Sequence, residues 1–258
     1  MTDSSDRPVE VTQRGAVLLI AIDRPRRYNA VTRAVSLAIA AAIDRLDADD
    51  TVRVGVITGK GGNFCSGMDL KAFIAGERPE LEGRGFAGLT ERPPTKPLIA
   101  AVEGYALAGG CEVALACDLI VAAEDAQFGL PEVTRGLVAG SGGLTRMSRK
   151  IPEAIALEYA LTGARMSAAI AHHWGLVNRL TPSGGALEAA LALAEEIAAN
   201  APLSVAMSKR IIIEARDWHG DEVWERQRPL AEAVIASADA AEGALAFAEK
   251  RPPRWTGR

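Results

Sequence analysis

Cysteine, aromatic side chains and net charge are all scarce in this sequence. Its 258 residues include three cysteines and 5% aromatic residues, and the formal net charge is −4. A low, odd number of cysteines in a chain of this length is typical of reduced thiols in the cytoplasm. Because the chain has neither an excess of basic residues nor many aromatic residues on which bases could stack, we do not expect it to bind nucleic acid.

Segments for export or membrane insertion are also lacking. The first ten residues, MTDSSDRPVE, are polar and acidic, whereas a signal peptide begins with a basic and then an apolar segment. The most apolar region contains Glu103, Glu112 and Asp118, and a membrane span of about 20 apolar residues does not carry three carboxylates. We therefore expect a cytoplasmic protein without a membrane partner. A hydrophobic content of 48% predicts a sizeable core.

Common cofactor and nucleophile motifs do not occur. The sequence has no G-x-G-x-x-G after a strand, no G-x-x-x-x-G-K-[ST] and no Cys/His cluster, so neither a phosphate loop of those types nor a metal site is expected. Ser141 has Ala139 two positions before it, which breaks the G-x-S-x-G pattern of a nucleophile turn. His172 and His173 end a predicted helix, where histidine commonly interacts with the helix dipole.

Strand and helix patterns alternate along much of the chain. Short apolar runs predict buried strands at residues 17–22, 52–59, 98–104, 118–123 and 176–180. Helical patterns lie between some of them, at about residues 31–47 and 108–116. This alternation predicts an α/β fold with mostly parallel strand pairing.

The later part of the chain differs in character. Residues from 186 onward are helical in pattern, and Ser-Gly-Gly at 183–185 marks a candidate boundary. We therefore predict a core domain over residues 1–185, with residues 1–8 as a mobile tail, and a helical region over residues 186–258. Residues 76–97 combine Gly, Pro and charge without a period, which predicts a long surface loop.

The segment GYALAGGCEVALACD contains the most informative turn. A strand ends, the chain turns through Gly109 and Gly110, and a helix begins. Paired glycines permit a close backbone approach, and the free N–H groups of the helix start are suited to an oxyanion. Glu112 follows inside an apolar helix, where an uncompensated carboxylate costs several kcal/mol. The local sequence favours equally a structural carboxylate, bonded to backbone or arginine, and a functional one.

Two further segments have a similar but weaker pattern. FCSGMDLK places Gly67 after a strand and before a helix, so the N–H of Met68 is a candidate second oxyanion donor, although a plain tight turn explains the pattern as well. FGLPEVTRGLVAGSGG places Glu132 directly after Pro131, which is a common helix start. Taken alone, Glu132 is better explained as charge support for that helix.

The motifs together resemble a known family. DRPRRYNAV, FCSGMDL, GYALAGGCEVALACDLIVAA, FGLPEVTRGLVAGSGG and LTGARMSAAIAHHWGLVN occur in the order seen in the enoyl-CoA hydratase/isomerase (crotonase) family, and AEGALAFAEKRPPRW is similar to the end of that family. The resemblance covers roughly residues 9–256. It implies a spiral of ββα units followed by a helical C-terminal trimerisation region, in a homotrimer or a hexamer formed by two trimers.

The resemblance also implies roles for individual residues. The backbone N–H groups of Met68 and Gly109 match the oxyanion hole that holds an acyl-CoA thioester carbonyl. Glu112 and Glu132 match the two catalytic glutamates of the hydratases, and the presence of both favours water addition. No cofactor is implied, since coenzyme A is part of the substrate. The implied CoA contacts are Arg26, Lys71, Phe247 and Lys250, the last two reaching CoA from a neighbouring subunit.

The main hypothesis is therefore an enoyl-CoA hydratase that adds water reversibly to a 2-enoyl-CoA. Ala139 replaces the proline of a GIIPG-like stretch and Met68 is bulkier than the usual residue, so the shape of the acyl pocket is expected to differ. GFAGLTE and AFAEKRPPRW resemble carnitinyl-CoA dehydratases, which leaves such a dehydratase, or a hydratase for a bulky acyl-CoA, as an alternative. A hypothesis of another class is a non-catalytic acyl-CoA-binding or scaffold protein.

Overall fold

The computed structural model describes residues 7–258, and residues 1–6 of the predicted tail lie outside this range. The strands are β1 (Val9–Arg14), β2 (Val17–Ile22), β3 (Val54–Gly59), β4 (Leu98–Val102), β5 (Tyr105–Leu107), β6 (Leu119–Ala123), β7 (Gln127–Gly129), β8 (Met166–Ser167) and β9 (Arg179–Thr181). The α-helices are α1 (Arg33–Ala48), α2 (Leu70–Ile74), α3 (Gly109–Ala116), α4 (Gly143–Lys150), α5 (Glu153–Thr162), α6 (Ala168–His173), α7 (Ala186–Ala198), α8 (Pro202–Glu214), α9 (Val223–Ile235) and α10 (Ala238–Glu249). Short 3₁₀ helices occur at Pro25–Arg27, Phe86–Gly88, Pro131–Arg135 and Ala215–Asp217.

The main sheet is almost entirely parallel. Within the described residues its strand order is β1-β2-β3-β4-β6-β9, and only the β1–β2 pair is antiparallel. Strands β2, β3 and β4 are buried along their whole length, which is the pattern of parallel strands covered on both faces. The α/β fold with mostly parallel pairing that the sequence predicts is therefore confirmed.

Helices cover both faces of this sheet. Helix α1 packs on one face through Val35, Ile39 and Ile43, in a core that also includes α3. Helix α7 covers the other face, and its Ala190 and Ala194 pack against apolar residues of β2, β3, β4 and β6. The small residues of α7 let the helix approach the sheet closely, so this first helix after the predicted boundary at residue 185 shares the core of the sheet.

A second, small sheet has the order β5-β7-β8 in the described chain. Strands β5 and β7 are parallel, with Leu107 opposite Gly129, and β8 is antiparallel to β7. Each of these strands has only two or three residues. The sheet matters because the chain leaves the carboxyl ends of β5 and β7 at the same edge, where the predicted site residues lie.

The predicted surface loop at residues 76–97 is wrong in its middle part. Residues 86–90 are buried, and the backbone of Gly88 lies against α1, where a Cβ would be 2.5 Å from the carbonyl oxygen of Ser36. The Phe86–Ala87–Gly88–Leu89 run is apolar, so its burial removes apolar area from water although Gly, Pro and charged residues flank it. This segment therefore belongs to the core of the structure.

The C-terminal helices are held on the rest of the chain by a few polar contacts. Lys209 of α8 donates to the carbonyl oxygens of Pro94 and Lys96 and forms an ion pair of 2.7 Å with Asp118. The buried carboxylate of Asp239 accepts hydrogen bonds from the chain end at Thr256 and Gly257. The Lys209 contacts join α8 to the rest of the chain and the Asp239 contacts join α10 to the chain end, while much of the apolar surface of both helices stays exposed.

Candidate active site

Parallel pairing brings the turn around Gly67 beside the turn at Ala108 and Gly109 that begins α3. Val31 pairs with Met68 and Cys65 pairs with Ala106, both in the parallel sense, and β5 pairs with β7. Hydrogen bonds from Leu107 N–H to the Cys65 carbonyl and from Ala108 N–H to the Gly129 carbonyl continue this arrangement. Because the paired segments run in the same direction, their carboxyl ends meet at one edge, which is where α/β proteins commonly place a site.

The glycine pair at the start of α3 is explained by close backbone packing. A Cβ at Gly110 would lie 2.1 Å from the carbonyl oxygen of Cys65, and a Cβ at Gly109 would lie 2.6 Å from the ring of Phe86. The backbone oxygen of Cys65 leaves no room for a Cβ, so position 110 requires glycine, whereas a side chain at position 109 would have to displace the ring of Phe86. This finding gives a physical reason for the close approach that the sequence predicts there.

The backbone N–H groups of Met68 and Gly109 belong to these two neighbouring turns. Met68 follows Gly67, whose φ of +98° turns the chain, and a Cβ at Gly67 would lie 3.2 Å from the Gly109 nitrogen. Among residues 7–258 the structure gives neither the Met68 N–H nor the Gly109 N–H a hydrogen-bond acceptor. The N-cap residue Ala108 supplies no side-chain cap either. The arrangement can therefore bind an anionic oxygen at the positive end of α3.

Glu112 lies on the first turn of α3, and its side chain is buried. Its Oε1 atom accepts hydrogen bonds from the N–H groups of Ser141 at 2.7 Å and Gly143 at 2.9 Å. Burial raises the pKa of Glu112 above its usual value; the two backbone donors oppose this shift, and the charge of Glu132 adds to it. The backbone contacts fix one oxygen of the carboxylate, and no protein donor among the described residues bonds to Oε2.

Glu132 lies in the short helix Pro131–Arg135, directly after β7. Its Oε2 atom is fully buried and has no hydrogen-bond partner in the described chain. Burial raises the pKa of Glu132, and the nearby charge of Arg135 opposes the shift only in part. A buried carboxyl oxygen without a partner is costly in a purely structural role, so this position favours interaction with a substrate or a water molecule.

The predicted CoA contacts divide into two groups. The 3₁₀ turn with Arg26 and helix α2 with Lys71 are joined by a 3.0 Å ion pair between Arg24 and Asp69, so they lie on connected elements, and both side chains are exposed. Phe247, which is 88% exposed, and Lys250 lie on or next to α10. No hydrogen bond or ion pair in the described chain links these two residues to the other predicted site residues.

Several residues around the site were not found from the sequence. Phe86 covers Gly109, the amides of Ser141 and Gly143 hold Glu112, and Arg146 donates to the carbonyl oxygen of Ser141 at 3.1 Å. The apolar run around Phe86 was an available signal. Backbone donors have no residue signature, although the glycine-rich 140–143 segment marks a backbone that can approach closely.

Three other features of residues 7–258 concern metal binding, membrane insertion and thiol chemistry. In this range no group of three or more His, Cys, Asp and Glu side chains is placed to hold a metal ion. No single helix in it is long and apolar enough to cross a membrane, and α7 with the segment Pro202–Asp217 passes that test only as a pair bent by 108°. The three cysteines are buried, and burial raises the pKa of each thiol to about 12.

The fold and the site define an α/β protein in which the start of α3 carries a backbone N–H without an acceptor, near the carboxyl groups of Glu112 and Glu132. Residues 12–258 match the model of the enoyl-CoA hydratase/isomerase family. The crystal structure of an enoyl-CoA hydratase from Mycobacterium tuberculosis H37Rv is 58% identical, with a TM-score of 0.97 over 98% of this chain and 100% of the other. The chain therefore belongs to the enoyl-CoA hydratase/isomerase family, which confirms the resemblance stated above.

Relatives within this family have two different names. A carnitinyl-CoA dehydratase of Proteus mirabilis is 42% identical over 97% of this chain and 98% of its own length. The crystal structure of a carnitinyl-CoA hydratase from Mycobacterium avium is 48% identical, with a TM-score of 0.79 over 98% of this chain and 100% of the other. The family and the fold are thus common to proteins named for different acyl groups.

Proposed function

We propose that this protein is a hydro-lyase that adds water reversibly to the 2,3 double bond of a 2-enoyl-CoA thioester. The observation that carries the proposal is the combination of two N–H donors without an acceptor, on Met68 and Gly109, with the buried Glu112 and the half-buried Glu132, whose Oε2 atom is buried. Hydration needs a polarised carbonyl and two proton transfers, and this set of groups supplies both. The chemistry requires no cofactor besides the CoA of the substrate.

The proposed mechanism follows from the charges that develop during the reaction. The two N–H groups stabilise the negative charge on the thioester oxygen as water attacks the β-carbon, which lowers the barrier because this charge is larger in the transition state than in the substrate. Glu112 accepts a proton from the attacking water, and Glu132 donates a proton to the α-carbon. Microscopic reversibility exchanges the two roles in dehydration.

A carnitinyl-CoA dehydratase is the second candidate, favoured by the relatives of that name at 42–43% identity. The chemistry is the same, since loss of water from a 3-hydroxyacyl-CoA is the reverse of hydration. The two candidates differ in the substituent beyond the β-carbon, which is a methyl group in crotonyl-CoA and a trimethylammonio-methyl group in the dehydrated carnitinyl thioester. The lining of the acyl pocket therefore decides between them.

A substrate panel tests the proposal. Loss of the enoyl thioester absorbance is measured with crotonyl-CoA, with longer and branched enoyl-CoAs, and with the thioester that carnitinyl-CoA yields on losing water. We expect turnover of at least one of them, and the highest kcat/KM identifies the acyl class. Tight binding of these thioesters without turnover would instead support a non-catalytic acyl-CoA-binding protein.

We also propose that the chain assembles as a homotrimer or a hexamer. No residue of α8 or α9 is fully buried in the described chain, and Ile212, Trp224 and Ile235 are 65–74% exposed. A second apolar surface surrounds a cavity of about 350 Å³ between α4 and α5 and includes Leu157 and Leu161. A closed ring of identical chains needs two different contacting surfaces, and these two meet that requirement.

Light scattering at micromolar concentration is expected to show a trimer or a hexamer. Ile235→Glu should shift the mass toward the monomer, because a buried charge without a partner opposes association. Leu37→Glu, which changes an exposed apolar residue of α1, is the matched control and should leave the mass unchanged. A monomeric wild-type protein would contradict the proposal.

The contribution of Lys71 to CoA binding is expected to be small and sensitive to salt. Lys71→Ala should raise KM for the acyl-CoA several-fold, by about 1 kcal/mol or less, because an exposed lysine binds phosphate as a screened point charge. The effect should shrink at high salt while kcat stays nearly constant. Arg14→Ala removes an exposed positive charge from β1 and should leave KM unchanged. Lys71 has another role if kcat falls and KM does not move.

A further inference from the structure

Arg146 of α4 connects two loops that are far apart in sequence. Its Nη1 group donates to the carbonyl oxygen of Ser141 at 3.1 Å, and its Nη2 group donates to the carbonyl oxygen of Thr90. The guanidinium is partly buried and forms no ion pair within 4 Å among the described residues. A cation in this position therefore serves the two backbone carbonyls and not a surface carboxylate.

The first contact, to the carbonyl oxygen of Ser141, holds the turn whose N–H groups bind Glu112. The N–H groups of Ser141 and Gly143 both donate to Oε1 of Glu112, so the position of the 141–143 turn determines the position of the carboxylate. Arg146 packs directly on the turn as well, because a Cβ at Gly142 would lie 2.1 Å from Nη1. The turn is thus held both by the guanidinium, through the carbonyl oxygen of Ser141, and by Glu112, through the N–H groups of Ser141 and Gly143.

The second contact, to the carbonyl oxygen of Thr90, holds the segment 86–90, which packs against one of the two proposed oxyanion donors. Thr90 ends the buried segment 86–90, and Thr90 N–H donates to the carbonyl oxygen of Phe86. The ring of Phe86 occupies the space where a side chain of residue 109 would be, directly against the backbone that carries the Gly109 N–H. A shift of the 86–90 segment would therefore change the packing around one of the two proposed oxyanion donors.

We propose that Arg146 is a positioning residue that clamps the 141–143 turn to the 86–90 segment and so fixes Glu112 relative to the Gly109 N–H. The inference rests on the proposed hydro-lyase activity for its catalytic meaning, and on the two contacts of the guanidinium for its geometry. The forked guanidinium reaches the two carbonyl oxygens through two separate nitrogens, Nη1 and Nη2, whereas a lysine ammonium has all three of its N–H donors on a single nitrogen.

Kinetics of Arg146 variants test the catalytic meaning. Arg146→Met should lower kcat roughly 30- to 100-fold with KM nearly constant, since a misplacement of about 1 Å costs up to 10²-fold. Arg146→Lys keeps the charge but not the fork and should lower kcat about 10-fold. Arg149→Met, on the same helix and paired with Asp217 at 3.5 Å, is the control and should leave kcat unchanged. A KM increase with constant kcat in Arg146→Met would overturn the proposal.

The pH dependence of kcat distinguishes the effect of the Arg146 charge from the effect of its hydrogen-bond geometry. The charged groups that act on Glu112 are Glu132, which raises its pKa, and Arg146, which lowers it. Removal of the positive charge in Arg146→Met should therefore move the acidic limb of the kcat profile to higher pH, while Arg146→Lys should leave that limb in place. A structural defect alone would lower kcat without this difference between the two variants.

Hydrogen exchange tests the clamp independently of activity. In the assembled Arg146→Met protein, amides of residues 139–144 and of residues 85–91 should both exchange faster, and in Arg149→Met neither segment should change. Faster exchange in only one segment, or in neither, would overturn the clamp even if the enzyme is active. An inactive wild-type protein would overturn the proposed function, whereas the exchange result would still decide the inference. If Arg146→Met does not fold, the same comparison is made with Arg146→Lys.

Discussion

Glu132→Gln is expected to lower kcat for hydration by at least about 100-fold, and Glu112→Gln should have a similar effect. Each change keeps the shape of the side chain but removes a group that accepts or donates a proton in the proposed mechanism. Glutamine can still accept the Ser141 and Gly143 hydrogen bonds at position 112 through its carbonyl oxygen. Folding and acyl-CoA affinity should therefore persist while kcat falls.

The two glutamates are expected to act as a coupled pair. Because the charge of Glu132 raises the pKa of Glu112, Glu132→Gln should lower the pKa of Glu112, which NMR titration of the carboxyl carbons can measure. Groups that act as a unit are non-additive, so the double variant should be far less impaired than the product of the two single effects. In the wild type, kcat should fall at both low and high pH, since one carboxyl must be ionised and the other protonated.

Glu103→Gln provides the matched control. The carboxylate of Glu103 also accepts two backbone N–H groups, from Gly184 at 3.0 Å and Ala186 at 2.8 Å, but it lies at the start of α7. Loss of a carboxylate that only supports backbone should leave kcat nearly unchanged. Near-normal hydration by either Glu112→Gln or Glu132→Gln would reject the two-glutamate mechanism and favour a reaction that uses a single carboxylate.

The longer elements were predictable because their patterns are local. The apolar run VLLIAI became β2, and the helix predicted at residues 108–116 occurs as Gly109–Ala116. The strand Val9–Arg14 was missed, although Val9 and Val11 alternate with polar residues, because the segment continues from a polar tail. The strands β5, β7 and β8 have too few residues to show a period, so their pairing follows only from the tertiary structure.

The supports of the site were less predictable for a different reason. The sequence left open whether Glu112 is a structural or a functional carboxylate. In the structure, backbone donors hold one of its oxygens, and the charge of Glu132 is near enough to raise its pKa. Those donors belong to a turn 29–31 positions away in sequence, and Arg146 reaches a carbonyl 56 positions away. The partners in contacts of this separation cannot be identified from local composition or periodicity, which show at most that the glycine-rich 140–143 backbone can approach another element closely.

The turn at Gly67 lies against the start of α3, where the two proposed oxyanion donors come together. Gly67 has a φ of +98°, and a Cβ there would lie 2.9 Å from the Cβ of Ala108 and 3.2 Å from the Gly109 nitrogen. In Gly67→Ala the two turns must therefore move apart, which separates the Met68 and Gly109 N–H groups. Loss of one oxyanion donor costs about 10²–10³-fold in kcat, and we expect a loss of this order. Infrared spectra should show a smaller shift of the bound thioester carbonyl band than in the wild type.

Gly62→Ala is the control for backbone strain, because strain alone would affect Gly62→Ala and Gly67→Ala in the same way. Gly62 also has a positive φ, +79°, but a Cβ there meets no atom within 4 Å. Both variants share the strain of a left-handed alanine, of roughly 1–2 kcal/mol, so both should unfold at lower temperature. Only Gly67→Ala should lose kcat and the carbonyl shift, because only its methyl group enters the space between the two donors. Equal loss of kcat in both variants, or a nearly normal kcat in Gly67→Ala, would contradict the assignment of Met68 and Gly109 as the oxyanion hole.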